Sequence, residues 1–450
     1  MFATRPQKLQ IFSNMINLKK ATIANAQARI SRLFKPLSQR LSPKLVPRQQ
    51  FLEEPDYYGR GGFHPISLGD TFDSNRYIIL RKLGYGQYST VWLARDSKCQ
   101  RYVALKMLRA DCYGGPHDIF EREILSKILD VSRHSSHEGR KYLLQLIEQF
   151  NHTGPNGDHV CLVSDVLGHH LDFQAAKYED GRLPVRAVKE IVRQLLAGLD
   201  FLHTECGIIH TDLKPTNILL ELETPEDDVP KYLDSVPPRT TKRQNGAIVP
   251  LREVITTPPV SEMASLHIRI IDFGVASWRQ KHLSDLIQSP ALRAPEVTIG
   301  APWDTGVDIW SLGCIVVELV QGIVLFSGNT SERGTWTAED DHLAKIVEVL
   351  GPFPPSLLGR GSRSAQFFDE QGIIPGCAAL SLGWKLIRIR NLKPTSLERL
   401  VNGEVKPFSK PPDMLETEVA AFIDFLRGML QIGPLARKSA AQLLQHEWLS

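Results

Sequence analysis

No aspartate or glutamate occurs in the first 50 residues, although ten lysines and arginines do. The net charge of +3 therefore hides a divided chain, whose remainder carries 43 basic against 50 acidic residues. A mildly acidic body gives no support to the basic face that a dedicated nucleic-acid binder needs. Cysteine is also sparse. The six (Cys99, Cys112, Cys161, Cys206, Cys314, Cys377) are scattered without a C-x-x-C pair, which points to a reducing compartment and away from a zinc site. No uninterrupted apolar run is long enough to span a bilayer. The best stretch, residues 312–326, carries Glu318 and Gln321 and reads as a buried core helix. There is no internal repeat at a period of 20–50 residues. What remains is an ordinary globular composition, 42% apolar and 23% charged, long enough to bury a large core without disulfides.

Residues 1–50 form a basic leader with Ser31, Ser38 and Ser42. Helical periodicity over 18–34 is broken by Pro36, Pro43 and Pro47. Such a leader has the composition of a mitochondrial transit peptide or of a disordered basic tail. Residues 51–75, with Gly59, Gly61, Gly62 and Pro65, read as a linker. Residues 223–266, rich in Pro, Thr, Asp and Arg, read as a flexible insertion.

The densest chemistry lies in Gly207-Ile208-Ile209-His210-Thr211-Asp212-Leu213-Lys214-Pro215-Thr216-Asn217-Ile218-Leu219-Leu220. Proline removes a backbone donor and restricts its predecessor, so this reads as strand, loop, strand. Asp212 and Asn217, five positions apart, suit proton acceptance from a hydroxyl and the holding of a divalent metal. Upstream, Gly84-Tyr85-Gly86-Gln87-Tyr88-Ser89 sits between two strands. That placement excludes a dinucleotide-binding fingerprint and fits a loop whose amides approach phosphates. A strand with one lysine follows, Val103-Ala104-Leu105-Lys106. Then comes a helical stretch over 117–130 in which Glu123, with Glu121 as its rival, could pair with Lys106. Two further strands flank a turn at 151–158. A long amphipathic helix over 184–205 leads into the loop. Downstream are a strand ending in Asp272-Phe273-Gly274, then Ala294-Pro295-Glu296, then Asp308-Ile309-Trp310-Ser311-Leu312-Gly313. The adjacent His169 and His170 lack further ligands at metal spacing.

Taken in this order, the motifs resemble those of eukaryotic protein kinases over residues 76–450. The details are similar to the SR-protein kinase (SRPK-like) branch of the CMGC group, in particular its fungal short-spacer members. The glycine loop has Ser89 for the third glycine, Val166-Leu167-Gly168-His169-His170-Leu171 resembles that branch's hinge, and Thr211 replaces arginine before the aspartate. The insertion occupies the place of its spacer but is much shorter. Asp272-Phe273-Gly274 and Ala294-Pro295-Glu296 depart from the branch, as does the absence of an acid near Ile323-Val324.

The resemblance implies an α+β bilobal fold, with a small antiparallel N-lobe at 76–166 and a mainly helical C-lobe at 167–450. It implies ATP and Mg²⁺ as cofactors. The backbone of Gly84, Tyr85, Gly86, Gln87, Tyr88 and Ser89 would cover the phosphates, and Lys106, held by Glu123, would pair with two of them. Leu83, Val91, Ala104 and Leu219 would sandwich adenine, with Asp165 and Leu167 supplying hinge contacts and Ser164 as a small gatekeeper. Asp212 would take the hydroxyl proton, Lys214 would stabilise the transferred group, and Asn217 and Asp272 would hold the metal. Asp341 and Glu348, seven residues apart on one helical face, would dock an Arg-rich peptide. The implied partners are protein substrates, with Arg/Ser-rich splicing factors foremost, and neither nucleic acid nor membrane. The chain would be monomeric, in cytoplasm and nucleus, or in the mitochondrion if the leader targets it there. The rival readings are a pseudokinase scaffold and a small-molecule kinase.

Overall fold

The computed structural model describes residues 53, 55–114, 118–243, 248–369 and 385–450. The basic leader and Cys377 lie outside the described residues. The fold is α+β. Its first half is a six-stranded antiparallel sheet, order β1-β2-β3-β4-β6-β5. The strands are β1 (Thr71–Phe72), β2 (Tyr77–Tyr85), β3 (Ser89–Asp96), β4 (Arg101–Leu108), β5 (Leu146–Gly154) and β6 (Gly157–Ser164). Side chains alternate across a strand. On β4, Val103, Leu105 and Met107 therefore enter one buried layer with Ile79, Trp92, Ala94, Cys161 and Val163. Ala104 and Lys106 face the other way, where they line a deep cleft.

Three expectations need correction. Residues 55–75 are not a free linker, because Ile66 and Phe72 cap the outer sheet layer with Tyr77. Asn156 fastens this lead-in by donating to the Tyr58 and Phe63 carbonyls at 2.8 and 2.6 Å. The turn expected at 151–158 is only Pro155-Asn156, since β5 runs to Gly154 and β6 restarts at Gly157 with φ 133. The insertion is not loose. It holds a helix, α3 (Pro225–Ser235), and a hairpin of β9 (Thr240–Lys242) with β10 (Ile248–Pro250). Val229, Tyr232 and Leu233 form a stripe at helical spacing. They pack with Leu93, Val166, Leu222 and Ile255 against the sheet. The stripe escapes a composition-based reading because polar residues and four prolines (Pro225, Pro230, Pro237 and Pro238) surround it.

The helical half is built on α2 (Val185–Phe201), α4 (Gly306–Gln321), α5 (Ala338–Leu350) and α6 (Glu416–Met429), with α1 (Glu121–His134) set beside the sheet. Every residue of α4 after Gly306 is buried, as expected of a core helix, but it ends at Gln321 and Gly322 caps it at φ 66. Between the halves run β7 (Leu167–His170), β8 (Ile218–Glu221) and β11 (Ile268–Ile270), paired in the order β11-β8-β7. They bring the hinge, the polar loop and the Asp272 segment together.

A buried histidine cluster ties the lead-in to β5 and β6. The His64 ring lies 4.6 Å from that of His152 and 5.2 Å from that of His159. Gly154 makes room for it, since a Cβ there would sit 2.2 Å from His64 Nδ1. Burial, reinforced by the neighbouring imidazoles, pushes the His64 pKa down to about 4, and burial lowers His152 and His159 as well. A folded-state pKa below the unfolded value means that the unfolded chain binds more protons as pH falls. Stability from these groups is therefore complete above the ordinary histidine pKa of about 6.5 and is lost as pH drops towards about 4. A melting series should show Tm falling by several degrees between about pH 7 and pH 5.5, with a shallower slope in His64→Leu. A slope unchanged by His64→Leu would remove the cluster as the cause.

Candidate active site

The cleft between the halves has a volume of about 400 Å³. Leu83, Val91, Ala104 and Leu219 supply apolar walls, and Asp165 and Leu167 the hinge edge. Behind Ser164 the cleft continues to Leu125, Leu144 and Leu146, as a small side chain at that position allows. Gly84, Tyr85, Gly86 and Ser89 line its roof, whereas Gln87 is exposed and Tyr88 turns into a neighbouring groove. Those two are not brought to the cleft lining. The reason is the tight turn, where the Gly86 N–H donates to the Ser89 carbonyl at 2.9 Å and sends the tip outward.

Lys106 Nζ donates to Glu121 Oε1 at 2.6 Å and to Asp272 Oδ1 at 2.9 Å. The expected partner, Glu123, is displaced. It instead accepts from the Tyr113 hydroxyl at 3.2 Å and from Arg122 Nε at 2.9 Å. Helix geometry decides between the two acids. Ile124, Leu125 and Ile128 form the buried face of α1, and Glu121 lies on that face three, four and seven residues before them. Glu123 lies off it, so the apolar periodicity already contained this answer. Burial opposes the Lys106 charge, yet Asp272 and Glu121 together hold the ammonium above the ordinary lysine range. The Lys106 charge in turn holds the Asp272 carboxyl below its ordinary range, against burial.

The polar loop is shaped from beneath by Asp308 on α4. Its Oδ2 accepts from the His210 N–H at 2.8 Å and its Oδ1 from the Thr211 N–H at 2.9 Å. His203 Nε2 lies 2.8 Å from Oδ2. Burial opposes ionisation of Asp308, but the His203 hydrogen bond and nearby charge hold its pKa below the usual carboxylate range. Leaving buried N–H groups unpaired would cost about 1–3 kcal/mol each. Thr211 sits at φ 64, a strained conformation for a β-branched residue. Its hydroxyl donates to the Val275 carbonyl at 2.7 Å, tying the loop to the segment after Asp272-Phe273-Gly274. Asp308 was legible only as part of a motif, and its role in holding the loop was not.

Asp212 projects from this support. Lys214 Nζ donates to its Oδ2 at 2.5 Å and Ser289 Oγ to its Oδ1 at 2.9 Å. Asn217 Nδ2 donates to the Asp212 carbonyl at 3.0 Å. Ser289 was not singled out in the sequence. It is positioned by Gln288, whose buried amide donates to the Leu292 and Val307 carbonyls and to Ser311 Oγ, and accepts from the Ala294 N–H. A second groove of about 510 Å³ runs past Tyr88, Asp212, Ser289 and Pro290. Lys214 lines both spaces, so the groove and the cleft meet beside Asp212.

A divalent ion fits this corner. Asn217 uses its amide N–H on Asp212, which leaves its oxygen as a donor, and Asp272 binds Lys106 through one oxygen only. Both residues line the cleft. No cluster of three or more His, Cys, Asp or Glu able to hold a metal occurs among the described residues. Two protein oxygens with phosphate completing the shell is how Mg²⁺ is commonly held at nucleotide sites.

The expected docking acids share one helix, α5, but are already engaged. Asp341 pairs with Lys345 at 2.9 Å, and Glu348 accepts from the Lys393 N–H at 2.7 Å. Beside them, Glu339 holds Arg363 at 2.7 Å and Asp340 holds Arg388 at 3.0 Å. No helix among the described residues is long and apolar enough to cross a membrane.

Comparison with known proteins fits this geometry. The protein kinase domain family matches residues 77–449. A serine/threonine-protein kinase SRPK of Physarum polycephalum is 35% identical over 410 residues, covering 87% of this chain and 90% of that protein. Protein kinase dsk1 of Schizosaccharomyces pombe is 30% identical over 484 residues, covering 88% and 85%. Human SRSF protein kinase 3 is 28% identical over 558 residues, covering 92% and 93%.

Proposed function

Because this chain belongs to the protein kinase family, in its SR-protein kinase branch, we propose that it phosphorylates serine in Arg/Ser-rich proteins of mRNA processing. It is a serine/threonine protein kinase that uses ATP and a divalent metal, here Mg²⁺. The observation that carries the site assignment is the junction at Asp212, where an enclosed cleft meets an open groove. Leu83, Val91, Ala104 and Leu219 would hold adenine, and Lys106 would meet the phosphates. Asp212 orients the acceptor hydroxyl and takes its proton at a carboxylate oxygen. Lys214 stands by the transferred group, and Ser289 and Asn217 fix the Asp212 rotamer. Asn217 and Asp272 would hold the metal, which would supply neutralising charge to the phosphates.

Human SRSF protein kinase 3 carries its substrate class in its name, and the same class is assigned to this chain. Helix α5 supports this, because Glu339 and Asp340 already bind guanidinium groups of their own chain. An Arg-rich peptide would engage Asp341 and Glu348 by the same chemistry only by displacing Lys345 and the Lys393 N–H, which they hold in this structure. Location in cytoplasm and nucleus belongs to the same proposal. The scaffold reading gains no support.

The purified, unphosphorylated protein should phosphorylate an Arg-Ser repeat peptide at least about tenfold more efficiently than a Lys-Ser repeat, since lysine lacks the bidentate fork. Equal efficiencies would remove the Arg/Ser assignment. Activity should also need no prior phosphorylation. Thr211 replaces the arginine that clamps a phosphate, and its hydroxyl and the Gln288 amide hold the segment instead. A preparation inert until an upstream kinase treats it would refute this.

A further inference from the structure

Among the described residues, three basic side chains other than histidine line the cleft: Lys106, Lys214 and Arg252. The first two are each paired with carboxylates. Arg252 is different. Among the described residues it makes no ion pair, and its buried Nε has no hydrogen-bond partner. It comes from the insertion, yet its place is fixed. Residue 252 bridges Lys82 in parallel alongside β2, and the Glu253 N–H donates to the Lys82 carbonyl at 2.8 Å. Buried Glu253 accepts from the Tyr232 hydroxyl at 2.6 Å and from the Arg239 N–H at 2.9 Å. Ile255 is buried with Leu93, Val166 and Val229. The result puts Arg252 Nε 3.9 Å from the Cβ position of Gly84, at the start of the glycine loop.

A second unmatched group lines the same cleft. His170, at the end of the hinge strand, has a buried Nδ1 without a partner among the described residues. Burial, with the Arg252 charge close by, pushes its pKa down to about 4, so the ring is neutral and offers a lone pair or an N–H. Buried polar atoms without partners are rare in folded proteins. A guanidinium donor together with a neutral imidazole matches a hydroxyl, which both accepts and donates. His170 ends the hinge strand and Arg252 lies at Gly84, where the glycine loop begins, so this corner is on the hinge side of the cleft.

We propose that Arg252, with His170, binds the ribose hydroxyls of ATP, which makes the insertion a wall of the nucleotide site. Arg252 donates to a ribose oxygen and the same sugar edge meets His170 Nδ1. The inference rests on the ATP-dependent reading above. The kinase would discriminate ribonucleotide from deoxynucleotide through a residue outside the motifs.

The test compares KM for ATP, 2′-deoxy-ATP and 3′-deoxy-ATP in wild type, Arg252→Ala and Arg252→Met, with one peptide acceptor. Wild type should favour ATP over at least one deoxy analogue by about tenfold, the size of a charged hydrogen bond. Both variants should lose that preference by a higher KM for ATP, with the KM for that analogue and kcat within about twofold of wild type. Arg252→Met keeps the aliphatic bulk and serves if Arg252→Ala packs poorly. A preference unchanged in the variants, including an equal rise in KM for all three nucleotides, overturns the proposal, as does a lower KM for ATP. Absence of any turnover by wild type would instead count against the kinase reading itself.

Discussion

Asp212→Asn should lower kcat by about a thousandfold while leaving ATP affinity within about threefold. A positioned general base contributes roughly 10²–10⁴ in rate. The amide is nearly isosteric with the carboxylate but cannot accept the hydroxyl proton. Asp212 is also absent from the residues lining the nucleotide cleft and belongs to the groove beside it. The loss should therefore fall on the chemical step. Single-turnover phosphorylation and direct nucleotide binding separate the two quantities. Equal single-turnover rates for both proteins would remove Asp212 as the base. A joint collapse of rate and ATP binding would mean that the loop had moved. That second outcome is disfavoured because Asp308, not Asp212, holds the His210 and Thr211 amides.

The same support explains why the site was partly readable in the chain. Lys106, Asp212, Asn217 and Asp272 stand at fixed distances from glycines, prolines and short strands, so local rules locate them. What local rules miss is a contact made across the fold. Ser289 meets Asp212 over 77 positions, and Asp308 meets Thr211 over 97. Nothing near either residue in sequence announces that partner. Glu121 is an intermediate case, because the apolar positions of α1 select it over Glu123 once the buried face is drawn through them. The insertion shows the opposite difficulty. Its average composition is that of a loop, and only three apolar side chains at helical spacing reveal α3. Arg252 could not be assigned at all without the fold, since its neighbours Lys82 and Gly84 lie about 170 positions away.

The largest stability loss should come from Arg437→Ala. Arg437 Nη1 and Nη2 donate to Glu296 Oε1 and Oε2 at 2.5 and 2.6 Å, with both side chains almost wholly buried. The guanidinium also donates to the Gly306 and Gln431 carbonyls and lies 5.0 Å over the Trp310 ring. Whether such a pair adds net stability over an apolar replacement is a separate matter. Removing one partner strands a buried charge and costs about 3–5 kcal/mol. Melting temperature should fall by roughly 5–10 °C. Arg437→Lys should recover only part of this, because an ammonium cannot grip both carboxylate oxygens. Arg437→Met with Glu296→Gln removes both charges, and should be less destabilised than the sum of the single changes. Additive losses would mean that the two residues act independently. Glu296 also ends the segment that carries Ser289 to Asp212, so Arg437→Ala should lose peptide phosphorylation at temperatures where the fold is still intact.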